Sequence, residues 1–326
     1  MKTNLSSFLQ CRANVFLYLT FGWKIARIFI FLLGRLYFFL SKKEKNRIEN
    51  AVFEAIGRGN QEADMSKITK KVFSGILCHY YEKMFIAFEK PRRAAKFLNQ
   101  NIMSEDLNVL RKSLLKRKGV IIVTGHYGAI EYIPTLLAIN NFPVSMIAKF
   151  KTEKLRKKVY SQAEQYKVKL IDADLTQNVV GAAIKELRKN RILVTECDEI
   201  EEWRPSERKR ISFLGRIAGL DRTINILQKR TGAEVVFCVI HRFSLSQYKL
   251  IMVAHEEMLQ KLEGIQPASV GETVLKFLEK YIYASPEQWY QWKKYFEIEP
   301  SPAMARTVQK PTSPLVLKPV FGGKIP

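Results

Sequence analysis

Residues 119–131 read Gly-Val-Ile-Ile-Val-Thr-Gly-His-Tyr-Gly-Ala-Ile-Glu and give the strongest indication of the fold. The apolar run at 119–125 predicts a buried β-strand, and the apolar periodicity of 130–140 predicts a helix directly after it. Further strands are predicted at 143–148, 167–172, 191–196, 234–240 and 248–254, and further helices at 106–117, 153–166, 178–189, 220–231 and 269–284. This alternation indicates an α/β fold with a mostly parallel sheet flanked by helices. The last two strands should pair antiparallel at one edge of the sheet.

His126 and Glu131 are the residues of this stretch that are best suited to chemistry. On a continuous helix, two side chains five residues apart point in different directions and do not meet. A contact between them therefore requires a turn between the strand and the helix, for which Gly125 and Gly128 provide the backbone freedom. We expect an imidazole at the carboxyl end of a strand, oriented by a carboxylate, which is the arrangement of a general base that accepts a hydroxyl proton.

Composition narrows the class of protein. The chain has 326 residues, of which 47% are apolar, so it can form a sizeable core, and its net charge of +23 favours anionic partners. Such partners include nucleic acid, an anionic membrane surface and an acidic carrier protein. The sequence contains no zinc-finger, RRM, KH or helix-turn-helix pattern, which argues against nucleic acid. The four cysteines form no CxxC pair, which argues against a zinc site or a disulfide framework and fits a reducing compartment.

The N-terminus predicts a membrane anchor, which we place at 1–43. Residues 15–40 are almost entirely apolar and aromatic, and their cations Lys24, Arg27 and Arg35 fall on one stripe of a helix. Two arrangements fit this stripe: a helix lying in the membrane interface with its cations at the headgroups, or a single tilted span with snorkelling cations. A helical region is predicted at 44–105, an α/β domain at 106–298, and a flexible tail at 299–326, which holds six prolines.

Three further stretches could contribute to a site. Thr195-Glu-Cys-Asp198 places carboxylates at the end of a strand, where α/β proteins build their sites. Phe213-Leu-Gly-Arg216 follows a basic loop and precedes a predicted helix start, where an anion such as a phosphate could bind, although a solvated turn fits equally well. A dense basic cluster follows the second strand and could bind headgroups or an acidic carrier, although most charge runs are only solvated faces. The loop contains Arg204, Arg208, Lys209 and Arg210, and the cluster contains Lys149, Lys151, Lys154, Arg156, Lys157 and Lys158.

Together, these motifs resemble the bacterial lipid A biosynthesis acyltransferases, the late lauroyl and myristoyl transferases. That family is the branch of the lysophospholipid acyltransferase superfamily that writes the HX4D motif as HX4E. The resemblance covers roughly residues 10 to 296. Its elements stand in the family's order: the N-terminal anchor, Gly125-His-Tyr-Gly-Ala-Ile-Glu131, Asp198, Phe213-Leu-Gly215, Leu227-Gln-Lys-Arg-Thr-Gly-Ala233, and Ser285-Pro-Glu-Gln-Trp289 with Trp292.

The resemblance implies a glycerol-3-phosphate-acyltransferase-like fold and an enzyme at the cytoplasmic face of the bacterial inner membrane. Such an enzyme takes a fatty acyl chain from acyl carrier protein and passes it to a hydroxyl of a lipid acceptor, here a lipid A precursor or a related glycolipid. His126 would be the general base and Glu131 its partner, and neither a metal nor a cofactor is implied. Substrate-binding residues are expected at Lys149, Asp198, Phe213, Gly215 and Arg216. Backbone N–H groups near Gly128 or the Arg216 guanidinium are candidates to stabilise the oxyanion.

The chain departs from the family pattern at several positions. Ala129-Ile130 stands where the family usually writes Asn-Trp, Lys149 stands where arginine is common, and Glu199 replaces the usual glutamine. The closing segment also differs, since it reads Gln-Trp-Lys-Lys-Tyr-Phe-Glu-Ile. These departures leave a lysophospholipid or an aminolipid open as the acceptor. A non-catalytic basic protein that binds a membrane surface or nucleic acid is a second alternative, drawn from the net charge of +23.

Overall fold

The computed structural model describes residues 12–57, 64–150, 153–200, 210–219 and 222–300. The described residues form two compact units, the first within 1–80, 200–220 and 276–326, and the second within 81–199 and 221–275. The helices are α1 (Arg12–Phe21), α2 (Trp23–Leu40), α3 (Lys42–Ile56), α4 (Met65–Phe88), α5 (Pro91–Asn101), α6 (Leu107–Leu115), α7 (Ile133–Ile139), α8 (Glu153–Gln165), α9 (Val179–Arg188), α10 (Thr223–Thr231), α11 (His255–Lys261) and α12 (Val270–Ala284). The strands are β1 (Ile102–Met103), β2 (Val120–Thr124), β3 (Val144–Ala148), β4 (Lys169–Asp172), β5 (Ile192–Glu196), β6 (Arg210–Phe213), β7 (Arg216–Gly219), β8 (Glu234–Ser244) and β9 (Gln247–Ala254).

The second unit is built on a seven-stranded sheet with the order β1-β9-β8-β2-β5-β3-β4. All neighbouring strands pair parallel except β8 and β9, which form an antiparallel pair. The prediction of an α/β fold with a mostly parallel, helix-flanked sheet is confirmed. The prediction that the antiparallel pair forms the edge is wrong, because the two residues of β1 pair with β9 and extend the sheet. A two-residue strand is too short to leave an apolar pattern in the sequence.

Strand β2 lies at the centre of the sheet. Four of its five residues are apolar and the fifth is a threonine, so the strand can be covered on both faces. Its five residues, Val-Ile-Ile-Val-Thr, are all buried, as is typical of a central parallel strand. Strands β5 and β8 flank it. The chain proceeds from β2 to one side of the sheet through β3, β4 and β5, and returns to the other side through β8. The carboxyl end of β2 is therefore a topological switch point, where α/β folds form their crevices.

Two predicted elements differ in detail from those observed. The helix predicted at 130–140 begins as a 3₁₀ turn at Ile130–Tyr132 before α7, and α7 carries a proline in its first turn, where a missing N–H costs no hydrogen bond. The segment that precedes the predicted helix at 220–231 forms a β-hairpin, β6–β7, and the helix itself, α10, begins at Thr223. Its turn residues Leu214 and Gly215 both have positive φ, at 50° and 77°, as a two-residue hairpin turn requires. The loop residues 204–209 lie outside the described ranges.

The first unit contains the segment predicted to be an anchor. Gly22, with a φ of 80°, separates α1 from α2. One face of α2 is buried, whereas Ile25, Ile28, Leu32 and other large apolar side chains on another face are exposed to solvent. No helix within the described ranges is both long and apolar enough to cross a membrane. The predicted division into anchor, helical region, α/β domain and tail stays a prediction, and 301–326 lie outside the described residues.

Candidate active site

His126 lies two residues beyond β2, at the carboxyl end of the central strand. The chain turns sharply here, since the N–H of Tyr127 donates to the Gly125 carbonyl over 2.6 Å and Gly128 has a φ of 59°. Positive φ is readily adopted by glycine, so Gly128 supplies the freedom that the turn needs. The same freedom was expected of Gly125, but its φ is not positive. The imidazole is buried, with 9% of the residue exposed.

Asp198 orients the imidazole of His126. Strands β2 and β5 pair in parallel, with Thr124 opposite Glu196, so residues two positions beyond each strand end up side by side. The Asp198 carboxylate accepts the His126 backbone N–H through both oxygens, at 2.9 and 3.0 Å. Its Oδ1 also lies 2.9 Å from Nδ1 of the ring. Because a carboxylate accepts hydrogen bonds, Nδ1 carries a proton, and Nε2 is the nitrogen that can act as a base in the neutral ring.

Two more carboxylates face the other ring nitrogen. The Nε2 atom lies 3.7 Å from Oε2 of Glu196 and 3.4 Å from Oε1 of Glu199. Burial alone would lower the pKa of His126, but the negative charges of the surrounding carboxylates raise it to about 9. Burial, and then repulsion from Glu199, raises the pKa of Glu196 above its usual range. The ligand atoms of these three residues lie within 4.8 Å of one another, which makes them the residues of this site that could hold a metal ion.

Glu131, the predicted partner of His126, forms an ion pair with Lys83 of α4. Its Oε1 lies 3.1 Å from Nζ of Lys83, and both side chains are partly exposed. The attraction of Glu131 raises the pKa of Lys83, with smaller contributions from Glu196 and Glu199. Lys83 thus lies among the carboxylates of the site and offsets part of their charge. The pairing of His126 with Glu131 stays a prediction, while Asp198 is the carboxylate bonded to Nδ1.

The turn that carries His126 is fixed against β8 by two contacts. The N–H of Ala129 donates to the carbonyl of Ile240 over 2.9 Å. The hydroxyl of Tyr127 lies 2.9 Å from Nδ1 of His241, and both side chains are buried. Burial lowers the pKa of His241 to about 4, so this imidazole is neutral at pH 7. A buried histidine and a buried tyrosine hydroxyl thus connect the turn to β8.

The two candidates for stabilising an oxyanion differ in their surroundings. Within the described turn, the N–H groups of His126, Tyr127 and Ala129 already donate to other groups. A backbone N–H near Gly128 stays a prediction as the oxyanion donor. The Arg216 guanidinium, in the first unit, donates to Glu54 at 2.6 and 2.9 Å and to a backbone carbonyl. Its charge is thus already offset by an acidic residue.

The remaining predicted site residues have varied surroundings. Phe213 is fully buried, with its ring centroid 6.0 Å from that of Trp289, and Gly215 forms the hairpin turn. Lys149 is exposed just after β3. In the basic cluster, Arg156 contacts three carboxylates, those of Glu153, Asp172 and Asp174. The side chains of Lys154 and Lys158 and the whole of Lys151 lie outside the described residues.

Sequence reasoning missed Lys83 and did not assign a role to Glu196. Lys83 follows Glu82 within the aromatic run Tyr-Tyr-Glu-Lys-Met-Phe, and such adjacent charges in an apolar helix were a signal that this face meets a polar site. Glu82 forms a buried ion pair with Arg242 of β8. Glu196 was visible as the last residue of a predicted strand. Its contact with His126 depends on the parallel register of β2 and β5, which no local pattern specifies.

Comparison with known proteins identifies one family. The family model described as bacterial lipid A biosynthesis acyltransferase matches residues 9–297 of the chain. This match covers most of the chain, including both units and every residue of the site. No match is found among curated proteins.

Proposed function

The chain belongs to the bacterial lipid A biosynthesis acyltransferase family and is an acyltransferase, and from this premise we propose the reaction that its site carries out. It moves a fatty acyl chain from the thioester of acyl carrier protein to a hydroxyl of a membrane lipid, a lipid A precursor or a related glycolipid. The observation that carries this proposal is His126 at the carboxyl end of β2, with Nδ1 held by Asp198 and Nε2 facing the carboxylates of Glu196 and Glu199.

The proton transfer follows from this geometry. Nε2 of His126 accepts the proton of the acceptor hydroxyl while the hydroxyl oxygen attacks the thioester carbonyl. This attack forms a tetrahedral oxyanion directly, without an acyl-enzyme. The N–H of Gly128 is our candidate donor to that oxyanion. When the intermediate collapses, the C–S bond breaks and the imidazolium returns the proton to the carrier's thiolate. Asp198 stabilises the imidazolium, as the aspartate does in a serine-protease triad.

Glu131 keeps a role in this proposal, although a different one from hydrogen bonding to Nδ1. Its carboxylate is paired with Lys83, whose pKa also reflects the charges of Glu196 and Glu199. We propose that the Glu131–Lys83 pair balances the charge next to His126, so that the imidazolium formed in the reaction is stabilised. In this proposal Glu131 of the HX4E motif acts on His126 through charge, together with Lys83.

The net charge of the chain and the exposed face of α2 support the proposed acyl donor and the proposed membrane location. The net charge of +23 favours an acidic carrier protein and anionic lipid headgroups. On α2, the exposed apolar side chains Ile25, Ile28 and Leu32 run beside the exposed cations Lys24 and Arg27. Apolar side chains bordered by cations are typical of a helix that lies in the membrane interface. We therefore propose that the enzyme works at the cytoplasmic face of the inner membrane, with α2 in the interface.

Acyl transfer by the purified full chain tests the proposed reaction. With acyl carrier protein loaded with a radiolabelled acyl chain and a lipid A precursor in mixed micelles, we expect label in the lipid. The His126→Ala variant should lose this transfer, whereas His255→Ala, a matched change of a half-buried histidine outside the site, should retain it. Turnover by His126→Ala at the wild-type rate would overturn the mechanism.

Lipid mass spectrometry of a deletion strain tests the acceptor. We expect one acyl chain to be missing from lipid A. The loss of an acyl chain from a lysophospholipid-derived lipid or an aminolipid would instead identify one of the alternative acceptors. An unchanged lipid profile would argue against an acyltransferase role in that cell.

A further inference from the structure

Three potential metal ligands converge on one point of the site. Nε2 of His126 lies 3.4 Å from Oε1 of Glu199 and 3.7 Å from Oε2 of Glu196, and all three ligand atoms lie within 4.8 Å of one another. Zinc binds imidazole nitrogen and carboxylate oxygen at about 2.0–2.2 Å in tetrahedral sites. Ligand atoms at that distance are separated by roughly 3.3–3.6 Å along the edges of the tetrahedron. The two separations from Nε2 are thus close to those of a three-ligand site with one open position, and the third ligand pair lies within 4.8 Å.

The surroundings of the ligands favour a cation. Asp198 holds Nδ1 of His126, and ligating histidines commonly donate this second ring N–H to a carboxylate that fixes their orientation. The arrangement also places two carboxylates against one ring nitrogen in a partly buried position. Like charges at this separation repel unless a positive charge lies between them. A divalent ion held between Nε2 and the two carboxylate oxygens would supply that charge.

We propose that Nε2 of His126, Glu196 and Glu199 bind a divalent transition-metal ion of the Zn²⁺ type, and that the bound ion inhibits the enzyme. Inhibition follows because the ion occupies the lone pair that would otherwise accept the proton of the acceptor hydroxyl. The binding half of this proposal stands on the ligand geometry alone, while the inhibitory half rests on the proposed function. The ion is a ligand that competes with catalysis, and the transfer reaction needs none.

Zinc binding by the purified, EDTA-treated and dialysed full chain tests the first half. Isothermal titration calorimetry with ZnCl₂ should give one ion per chain. Glu199→Gln replaces one of the three ligands by a neutral side chain of nearly the same shape, so it should weaken binding by at least the roughly tenfold that loss of an outer partner of a ligand costs. The control Glu263→Gln removes an exposed carboxylate outside the site and should bind as the wild type does. Equal affinities of wild type and Glu199→Gln, or no binding by the wild type, would overturn the site.

Acyl transfer in the presence of Zn²⁺ tests the second half. Zinc should inhibit the wild type at the concentrations at which it binds, and about tenfold more should be needed for Glu199→Gln. Full activity of a zinc-loaded wild type would overturn the inhibitory role. The two proposals fail separately: zinc binding by a chain that transfers no acyl group would refute the proposed function and leave the site standing. Acyl transfer by a chain that binds no zinc would refute the metal site and leave the proposed function standing.

Discussion

Nδ1 of His126 lies 2.9 Å from Oδ1 of Asp198, a residue 72 positions away in the chain. The same carboxylate accepts the backbone N–H of His126, so a single buried side chain fixes both the backbone and the ring of the proposed base. This double attachment exists because β2 and β5 are parallel neighbours that end at the same level of the sheet. The proposed base is thus positioned by a strand that follows it by about 70 residues.

Asp198→Asn should fold and lose most of its activity. The amide keeps the shape of the carboxylate, but it can donate a hydrogen bond and so favours the wrong tautomer of His126. From the effect of the same change in a serine-protease triad, we expect kcat to fall by about 10²- to 10⁴-fold. Steady-state acyl transfer measures kcat, and circular dichroism of the variant checks its fold. A variant with wild-type kcat would show that Asp198 does not orient the base.

Glu131 and Lys83 should act as one unit in catalysis. If their ion pair balances the charge beside His126, then Glu131→Gln and Lys83→Met should each lower kcat, since each leaves one charge uncompensated. The double variant should be no slower than the slower single variant, because residues that act together are non-additive. A double-mutant cycle on kcat measures this coupling. Independent effects that multiply would mean that the pair does not act as a unit.

The rate of transfer should rise with pH. The carboxylates around His126 raise its pKa to about 9, and only the neutral imidazole accepts a proton. With EDTA present, kcat/KM should therefore increase from pH 7 to about pH 9 and then level off. Glu199→Gln removes one of the charges that raise this pKa, so its profile should move to lower pH. A profile that is flat between pH 7 and 9, or that moves to higher pH in the variant, would contradict the assignment.

Gly75→Ala should destabilise the first unit. A Cβ at this position would lie 1.8 Å from the backbone carbonyl oxygen of Glu287, which cannot move aside as a side chain could. Such overpacking costs about 1–3 kcal/mol of unfolding free energy or more. Gly57→Ala is the matched control, because the nearest atoms there are side-chain atoms of Phe53 and Met65 at 3.3 and 3.4 Å. Urea denaturation in detergent compares the two variants, and equal midpoints would show that the close approach is absent.

The sequence was most informative where one element carries its own pattern. The strand at β2 and the turn at Gly128 could be predicted because a buried parallel strand is a continuous apolar run and a tight turn needs glycine. The partners of His126 could not be predicted in the same way. Asp198 and Glu196 reach it through the register of a distant strand, and Lys83 reaches Glu131 from a helix whose apolar pattern indicated only a core. Contacts of this kind depend on tertiary packing and leave no local periodicity.

Leu32→Glu should release the protein from membranes without unfolding it. Leu32 is 59% exposed on the apolar stripe of α2, so a charge there costs little in the free protein but opposes burial among acyl chains. Leu115→Glu is the matched control, because Leu115 is 80% exposed and belongs to the second unit. Co-sedimentation with vesicles that contain anionic phospholipid should show weaker binding for Leu32→Glu alone. If both variants bound as the wild type does, α2 would not be the segment that contacts the membrane.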